Sequence, residues 1–319
     1  MFDISTLQFY YLKTGGNLKK HNPHDQFFIQ TFTDENNMRV FLKNTLPPEL
    51  IELIDLNVIE YETDTHIDPA LHKNVTDLVV KTRIDSQTPV DIYFLFEHKS
   101  VYDDKILFQI LRYMVTIWEK DIKEGKGPRI IIPFIFYHGK KKWEMKKLSE
   151  MLTDNPSIQK WLIDIPYLLF DTGKNVADFS EAVRLKVSIE MFRKAFMKNR
   201  ETFRELLKLI YESGILESDD HPVEYIYLLE INDLATEEIM DIIRTDLRID
   251  ERSGGKMTSI AERLRMEGRQ EGKQEGAFAK AVETCKIALS KGFDLQTVIQ
   301  LTGLPMEKVL EIQKSLKIN

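Results

Sequence analysis

NVTDLVVKTRI (residues 74–84), DSQTP (85–89) and VDIYFLFEHKS (90–100) are two strand-like stretches separated by turn chemistry. Asp, Ser and Pro within five residues make the turn. β-Branched and aromatic residues dominate both flanks. Centring the turn on Gln87 sets Ile84 opposite Val90 and Asp77 opposite Glu97. Side chains alternate faces along a strand, and directly opposed residues share a face. Asp77, Glu97 and Lys99 are therefore expected on one side of a sheet, with Tyr93 and Leu95. Ile92, Phe94 and Phe96 belong on the other side. Register decides this: a slip of one residue sends Asp77 to the wrong face.

Upstream, Phe27, Phe28, Phe32, Met38, Phe41 and Leu42 recur at helical steps until Pro47-Pro48 stops the run. A short helix, ELIEL, and a strand within NVIEYETDTHID follow. Downstream of Ser100 the period becomes helical again. Ile106, Ile110, Met114 and Ile117 form one stripe, flanked by Leu107, Leu111 and Trp118, and EGKGP ends it. RIIIPFIFYHG then reads as a buried strand, with Pro133 at a bulge or an edge position. The order is helix, three strands, helix, strand. A meander followed by a helical crossover predicts an α/β fold with a mixed sheet.

Residues 140–250 are mostly helical by pattern, with a short strand in IDIPYLLFD. ESDDHP (217–222) and DERSGGK (250–256) look like linkers. The expected organisation is an arm over 1–22, a core over 23–180 and a helical extension over 181–250. A Glu/Gly-rich linker or helix over 251–276 and a small helical module over 277–319 complete it.

Composition bounds the function classes. The 319 residues are 43% hydrophobic and 10% aromatic, which is globular. A formal net charge of −7 does not announce a nucleic-acid binder, so such a partner needs a local basic patch or a bridging metal. The single cysteine, Cys285, excludes an internal disulfide and a cysteine-built zinc site. No apolar run approaches the ~20 residues of a membrane helix. The first twenty residues lack a charged-then-apolar signal pattern. The expectation is a soluble cytoplasmic protein. There is no P-loop, HExxH or GxSxG, and hence no nucleotide cofactor is expected. The seven histidines are scattered in sequence.

Two convergent carboxylates, Asp77 and Glu97, suit a hard divalent cation such as Mg²⁺. The backbone carbonyl of His98 is a candidate third ligand. A cation there lowers the pKa of bound water and neutralises charge building on a phosphoryl group. Lys99 would orient the attacking water or stabilise the charged transition state. Acid-x-Lys also occurs at Asp103-Lys105, Asp121-Lys123, Glu124-Lys126, Glu144-Lys146 and Glu271-Lys273, where helices and loops make it a coincidence. Glu97-x-Lys99 differs in closing an otherwise apolar strand. The plain alternative is a strand leaving the core with solvated last residues.

PHDQFFIQTF, FLKNTLPPELIELIDL, TDLVVKT, IYFLFEHKS with ILRYMVTIWE, and IIIPFIFYHGKKKW together resemble the recombination-promoting nuclease family, also described as YhgA-like transposases. The resemblance covers residues 22–180 and extends to the tail through the EG-rich repeat and LTGLPMEKV. It implies a restriction-endonuclease-like core of the PD-(D/E)xK superfamily and a metal-dependent DNA endonuclease linked to recombination. The family's metal aspartate maps onto Asp77 and its Glu-x-Lys onto Glu97 and Lys99. The family often has Glu-x-Gln at this spot; Lys99 restores the superfamily's form. Thr76 stands where the superfamily name has proline.

Further candidates each have a bland reading. Asp25 or Glu35 could approach the metal, or simply favour a helix start. Gln109, one turn before Tyr113, could face the site, or lie on an ordinary helix flank. His138-Gly139 with Lys140, Lys141, Lys142, Trp143, Lys146 and Lys147 could grip phosphates, or be a solvated loop. Glu267-Gly268, Glu271-Gly272 and Glu275-Gly276 would place glycines on one helical stripe. That stripe could admit a second helix, as in a homodimer through the C-terminal region, or the segment could be a semi-flexible linker. Gly292, Asp294, Gly303 and Pro305 have helix-turn-helix spacing, without a clearly basic last helix, so a small helical interaction module is as good a reading as a DNA reader.

The leading expectation is a Mg²⁺-dependent endonuclease acting on DNA with low sequence specificity. The alternative is a catalytically weak DNA- or protein-binding module of a mobile element. A transposase that also joins strands is a third reading.

Overall fold

The computed structural model describes residues 22–61, 78–84, 90–219 and 222–316. They fall into two compact units, one up to Ile249 and one from Asp250.

The first unit opens with helices α1 (Pro23–Phe32), α2 (Glu35–Thr45) and α3 (Pro48–Ile51). Asn22 caps α1 by accepting from the His24 amide, with Pro23 in the first turn where its missing N–H costs nothing. Asp34 caps α2 through the Asn37 amide, and Leu46 is extended ahead of Pro47, as a residue before proline prefers. Strands β1 (Ile54–Tyr61), β2 (Leu78–Ile84) and β3 (Val90–Lys99) follow, then α4 (Ile106–Lys123) and β4 (Ile130–Tyr137). α5 (Leu148–Leu152), α6 (Pro156–Gln159) and β5 (Leu168–Asp171) complete the sheet region.

The five described strands lie in sequence order. β1–β2 and β2–β3 are antiparallel, while β3–β4 and β4–β5 are parallel. This is the expected mixed sheet, with α4 as the crossover. Ile84 pairs with Val90 and Leu78 with Phe96, the register expected from a turn centred on Gln87. Asp77 lies outside the described residues.

Pro133 occupies neither a bulge nor an edge strand, because β4 is interior and pairs regularly with β3. β5 covers β4 only from Phe134 to Tyr137, so a proline at 133 removes no bond of that ladder.

Each sheet face has its own cover. One carries an aromatic core in which Phe96 meets Phe134 at 4.9 Å, Phe32 meets Phe41 at 4.9 Å and Phe41 meets Phe170 at 5.1 Å. Such ring pairs add about 0.5–1.5 kcal/mol each beyond the area they bury. The other face packs α4 through Ile106, Leu107, Ile110, Tyr113, Met114 and Ile117 against Val79, Ile131, Ile135 and Tyr137. The α4 stripe follows the helical period read from sequence.

A buried ion pair closes the crossover. Arg129 donates from Nε to Asp121 Oδ2 at 2.8 Å and also reaches Oδ1. Its guanidinium lies 4.4 Å from the centre of the Tyr93 ring. The hydrogen bonds from Arg129 hold the Asp121 carboxyl below its usual range.

Helices α7 (Val183–Lys194), α8 (Arg200–Glu212), α9 (Ile215–Ser218), α10 (Val223–Ile231) and α11 (Thr236–Asp241) form the extension, followed by a π-turn at Ile242–Asp246. Arg184 fastens it with a two-pronged bond to buried Glu224 at 2.9 and 2.8 Å and a third bond to Asp219 at 2.9 Å.

In the second unit, α12 (Glu251–Ser290) is one continuous helix of 40 residues. DERSGGK, linker-like in composition, is its cap and first turns: Asp250 accepts from the amides of Arg252 and Ser253. α13 (Leu295–Thr302) is capped by Asp294 and ends at Gly303, whose φ of +66° suits glycine. With α14 (Met306–Leu316) it closes a small core of Cys285, Ala288, Val298, Leu304, Val309 and Ile312. Burial pushes the Cys285 thiol up. Among the described residues no helix is long and apolar enough to cross a membrane.

Breaking the Asp121–Arg129 pair strands a cation against Tyr93. Asp121→Ala is expected to cost about 3 kcal/mol of unfolding free energy. The check is the urea midpoint at unchanged m-value.

Candidate active site

β3 determines where every polar group goes. Its even-numbered residues Phe94 and Phe96 enter the aromatic core, so Tyr93, Glu97 and Lys99 face α4. Burying Glu97 as a carboxylate needs partners. Lys99 Nζ lies 2.8 Å from Glu97 Oε1. Gln109, on the first turn of α4, donates from Nε2 to the same oxygen at 2.9 Å. Its other amide hydrogen goes to the Tyr113 hydroxyl at 2.8 Å, and its Oε1 accepts from Lys99 at 3.3 Å. Asp103 Oδ2 lies 3.6 Å from Lys99 Nζ.

The two oxygens of Glu97 thus differ. Oε1 takes two donors, whereas Oε2 is buried without a hydrogen-bond partner among the described residues. A buried carboxylate oxygen left bare costs about 1–3 kcal/mol, or more for a charged group. It is a vacant acceptor facing the α4 side of the sheet.

Glu97, Lys99 and Gln109 are therefore brought within bonding reach of one another. Tyr113 joins them through Gln109, in keeping with its one-turn spacing. Asp103 is more than a chance Acid-x-Lys, since it approaches Lys99 from the loop between β3 and α4. Asp77 lies outside the described residues. Among the described residues no group of three or more His, Cys, Asp or Glu could hold a metal ion.

His98 points the opposite way. Its ring is buried and donates from Nδ1 to Asp25 Oδ1 at 3.0 Å. Asp25 is thus committed to the face away from Glu97, and Glu35 pairs with Arg39 on α2. Neither acid reaches the Glu97 cluster. The scattered histidines also converge here. His98 stacks on His138 at 4.9 Å, His24 meets His138 at 5.0 Å, and His24 Nδ1 is 2.7 Å from the Tyr227 hydroxyl. The three come from β3, the end of β4 and α1, so sequence spacing carried no signal of their meeting. His98 Nε2 is buried without a hydrogen-bond partner among the described residues, and the buried His138 ring has at most a weak approach to the Phe192 backbone. Burial, reinforced by the neighbouring histidines, lowers His24 to about 4 and His138 well below its ordinary value. Burial likewise lowers His98, against the pull of Asp25.

The parallel strands end together. Lys99 pairs with Tyr137 and Tyr137 with Asp171. Beyond them, the His138 amide donates to Lys99 O at 3.1 Å and the Thr172 amide to Tyr137 O at 2.9 Å. Glu97 and Lys99 therefore sit at the carboxyl ends of the parallel strands of this mixed sheet, where α/β proteins place their ligands.

Residues 22–220 match the family model described as "Putative transposase, YhgA-like". The chain belongs to that family. It is 25% identical over 295 residues to the recombination-promoting nuclease RpnA of Escherichia coli (strain K12), covering 90% of this chain and 96% of that one. RpnC of the same strain is 24% identical over 90% of this chain and 95% of its own. A protein of that strain named as an inactive recombination-promoting nuclease-like protein, RpnE, is 26% identical over 89% of this chain and 95% of its own. No solved structure matches.

A histidine whose folded pKa lies below its unfolded value contributes stability that is complete above about pH 6.5 and is lost as pH falls. For His24 that loss runs down to about pH 4. The urea midpoint is expected to fall between pH 6.5 and pH 4. His138→Phe, which keeps the ring stack, should flatten that fall while leaving the midpoint at pH 8 nearly unchanged.

Proposed function

We propose that this protein is a metal-dependent DNA endonuclease that hydrolyses phosphodiester bonds with low sequence specificity and promotes recombination through the breaks it makes. One observation carries the reading: Glu97 is buried at the carboxyl ends of the parallel strands with Oε1 held by Lys99 and Gln109 and Oε2 without a partner among the described residues. The names of RpnA and RpnC add to it.

The donor chemistry fits a hard cation. A carboxylate oxygen that is desolvated and unpartnered is the kind of ligand Mg²⁺ prefers. Glu97 would hold the ion through Oε2, with Asp77 and the His98 carbonyl as the other proposed donors. A cation there would lower the pKa of bound water and offset charge on the phosphoryl group.

The chain's own groups do the rest. Lys99 Nζ stands beside the carboxylate and donates to the attacking water or to the developing negative charge. Gln109 fixes both partners: its amide orients Glu97 through Nε2 and Lys99 through Oε1. Tyr113 holds the Gln109 amide in that orientation. Buried Phe94 and Phe96 anchor the strand from behind, so that Glu97 cannot rotate into solvent. DNA is the substrate class, and the cytoplasm is where such an enzyme would meet it.

The second reading, a catalytically weak binding module, has one observation in its favour: RpnE, of comparable identity, is named as inactive. Supercoiled plasmid decides between them. Nicking that needs Mg²⁺ and stops in EDTA is expected. Glu97→Gln and Lys99→Ala should each slow it by roughly 10²–10³, and Gln109→Ala by about 10–100-fold through misplacement of the other two. Plasmid binding without nicking by wild type at any Mg²⁺ concentration would decide for the weak module.

A further inference from the structure

The nine residues 139–147 leave β4 at the edge where Lys99 ends. They have no helix or strand, yet their backbone is tied down at four of the nine residues, Lys141, Trp143, Lys146 and Lys147. The Tyr137 hydroxyl donates to Lys141 O at 2.6 Å. Lys174 Nζ donates to Trp143 O at 2.6 Å, and the Trp143 amide lies 3.4 Å from Asp171 Oδ2. The Lys146 amide reaches the Tyr167 hydroxyl at 3.2 Å, and the Lys147 amide reaches Glu150 at 2.9 Å. Trp143 is buried between Tyr137 and Tyr102, at 4.9 and 5.1 Å. At Gly139 a Cβ would stand 2.3 Å from the Tyr137 hydroxyl, so the path needs glycine.

What this anchoring presents is charge. Lys140, Lys141, Lys142, Lys146 and Lys147 are all exposed, with one exposed acid among them, Glu144. Lys140 Nζ lies 5.6 Å from the Phe196 ring centre. Lys141, Lys142, Lys146 and Lys147 make no ion pair among the described residues, although the chain as a whole is acidic at −7. Some exposed lysines elsewhere in the fold are paired, as Lys43 with Glu181 and Lys208 with Glu212, and others such as Lys123 and Lys186 are single, so what sets this segment apart is the density of its lysines. A dense, unpaired, preorganised row of ammonium groups complements a row of phosphates.

We propose that residues 139–147 are the rim that grips the DNA backbone and holds it across the Glu97–Lys99 end of the sheet. The inference rests on the nuclease reading for the direction in which the strand is held, but it concerns binding and not hydrolysis. The rim touches phosphate alone, which accords with low sequence specificity. Each lysine that neutralises a phosphate adds to the salt dependence of binding, since log K falls with log salt by about 0.9 per phosphate neutralised.

The test is anisotropy of a short fluorescein-labelled duplex of mixed sequence, titrated with the full chain in EDTA between about 50 and 200 mM KCl. The loop variant is Lys141→Ala, Lys142→Ala, Lys146→Ala and Lys147→Ala together. The side chains removed are solvated and the anchors are backbone atoms, so circular dichroism and the urea midpoint should match wild type. Affinity near 100 mM salt should drop by about tenfold for each phosphate that is no longer neutralised, and the slope should fall by about one for each. The matching set of four arginines should restore both, which also covers an alanine variant that folds poorly. Lys43, Lys123, Lys186 and Lys208, exposed elsewhere, form a charge-matched control that should bind as wild type does. An unchanged slope in the loop variant overturns the rim while leaving the nuclease reading untouched. Wild type that does not bind duplex at any salt overturns both. Normal rim behaviour with no nicking by wild type upholds the rim and overturns the nuclease.

Discussion

The alternation of β3 governs this molecule. One strand must satisfy two unlike neighbours, an aromatic layer behind it and α4 in front. Phe94 and Phe96 face the first, Tyr93 and Glu97 the second. Because the side-chain period is two, the strand cannot shift by one residue without driving Glu97 among phenylalanines and Phe96 against Gln109. The hydrophobic driving force that fixes the register is thus also what delivers a carboxylate to a desolvated position. The energy of ring packing on one face holds an electrostatically unfavourable group on the other.

That arrangement makes the cost of Glu97 local and purposeful. Gln109 and Lys99 offset the burial of one oxygen, and the second has no partner among the described residues. A residue selected only for stability would have both oxygens bonded or be replaced by an apolar one. The neighbouring histidine stack shows the same economy on the far face. His98, one residue along, sends its ring to Asp25 and α1, so the two faces are pinned independently at consecutive residues.

Much of this was readable without coordinates, for physical reasons. The hairpin register followed from turn chemistry and alternation, both local, and the order of helices and strands followed from changes of period. Gln109 and Tyr113 were legible because a helix brings residues four apart onto one face. What escaped depended on the docking of distant segments. The meeting of His24, His98 and His138 needs three elements to be in place first. Asp103 resembles chance in the sequence because a loop places it, and loops carry no period. The basic loop reads equally well as a solvated one, since its rigidity comes from Tyr137, Tyr167 and Asp171, outside its own sequence. The stretch from 250 suggests a linker because glycine is a poor helix former, yet Asp250 caps it and the turns that follow carry it. Asp77 lies outside the described residues, so the pairing of the two carboxylates stands as an expectation.

The long helix has a weak middle by construction. Gly268, Gly272 and Gly276 are exposed and have open space where a Cβ would be, with no described side chain packed over them. Propagation through each is less favourable than through alanine by about 1 kcal/mol. Backbone amides there should exchange for deuterium sooner than those near the Asp250 cap or beside Cys285, and a protease searching α12 would find its first foothold at the same turns.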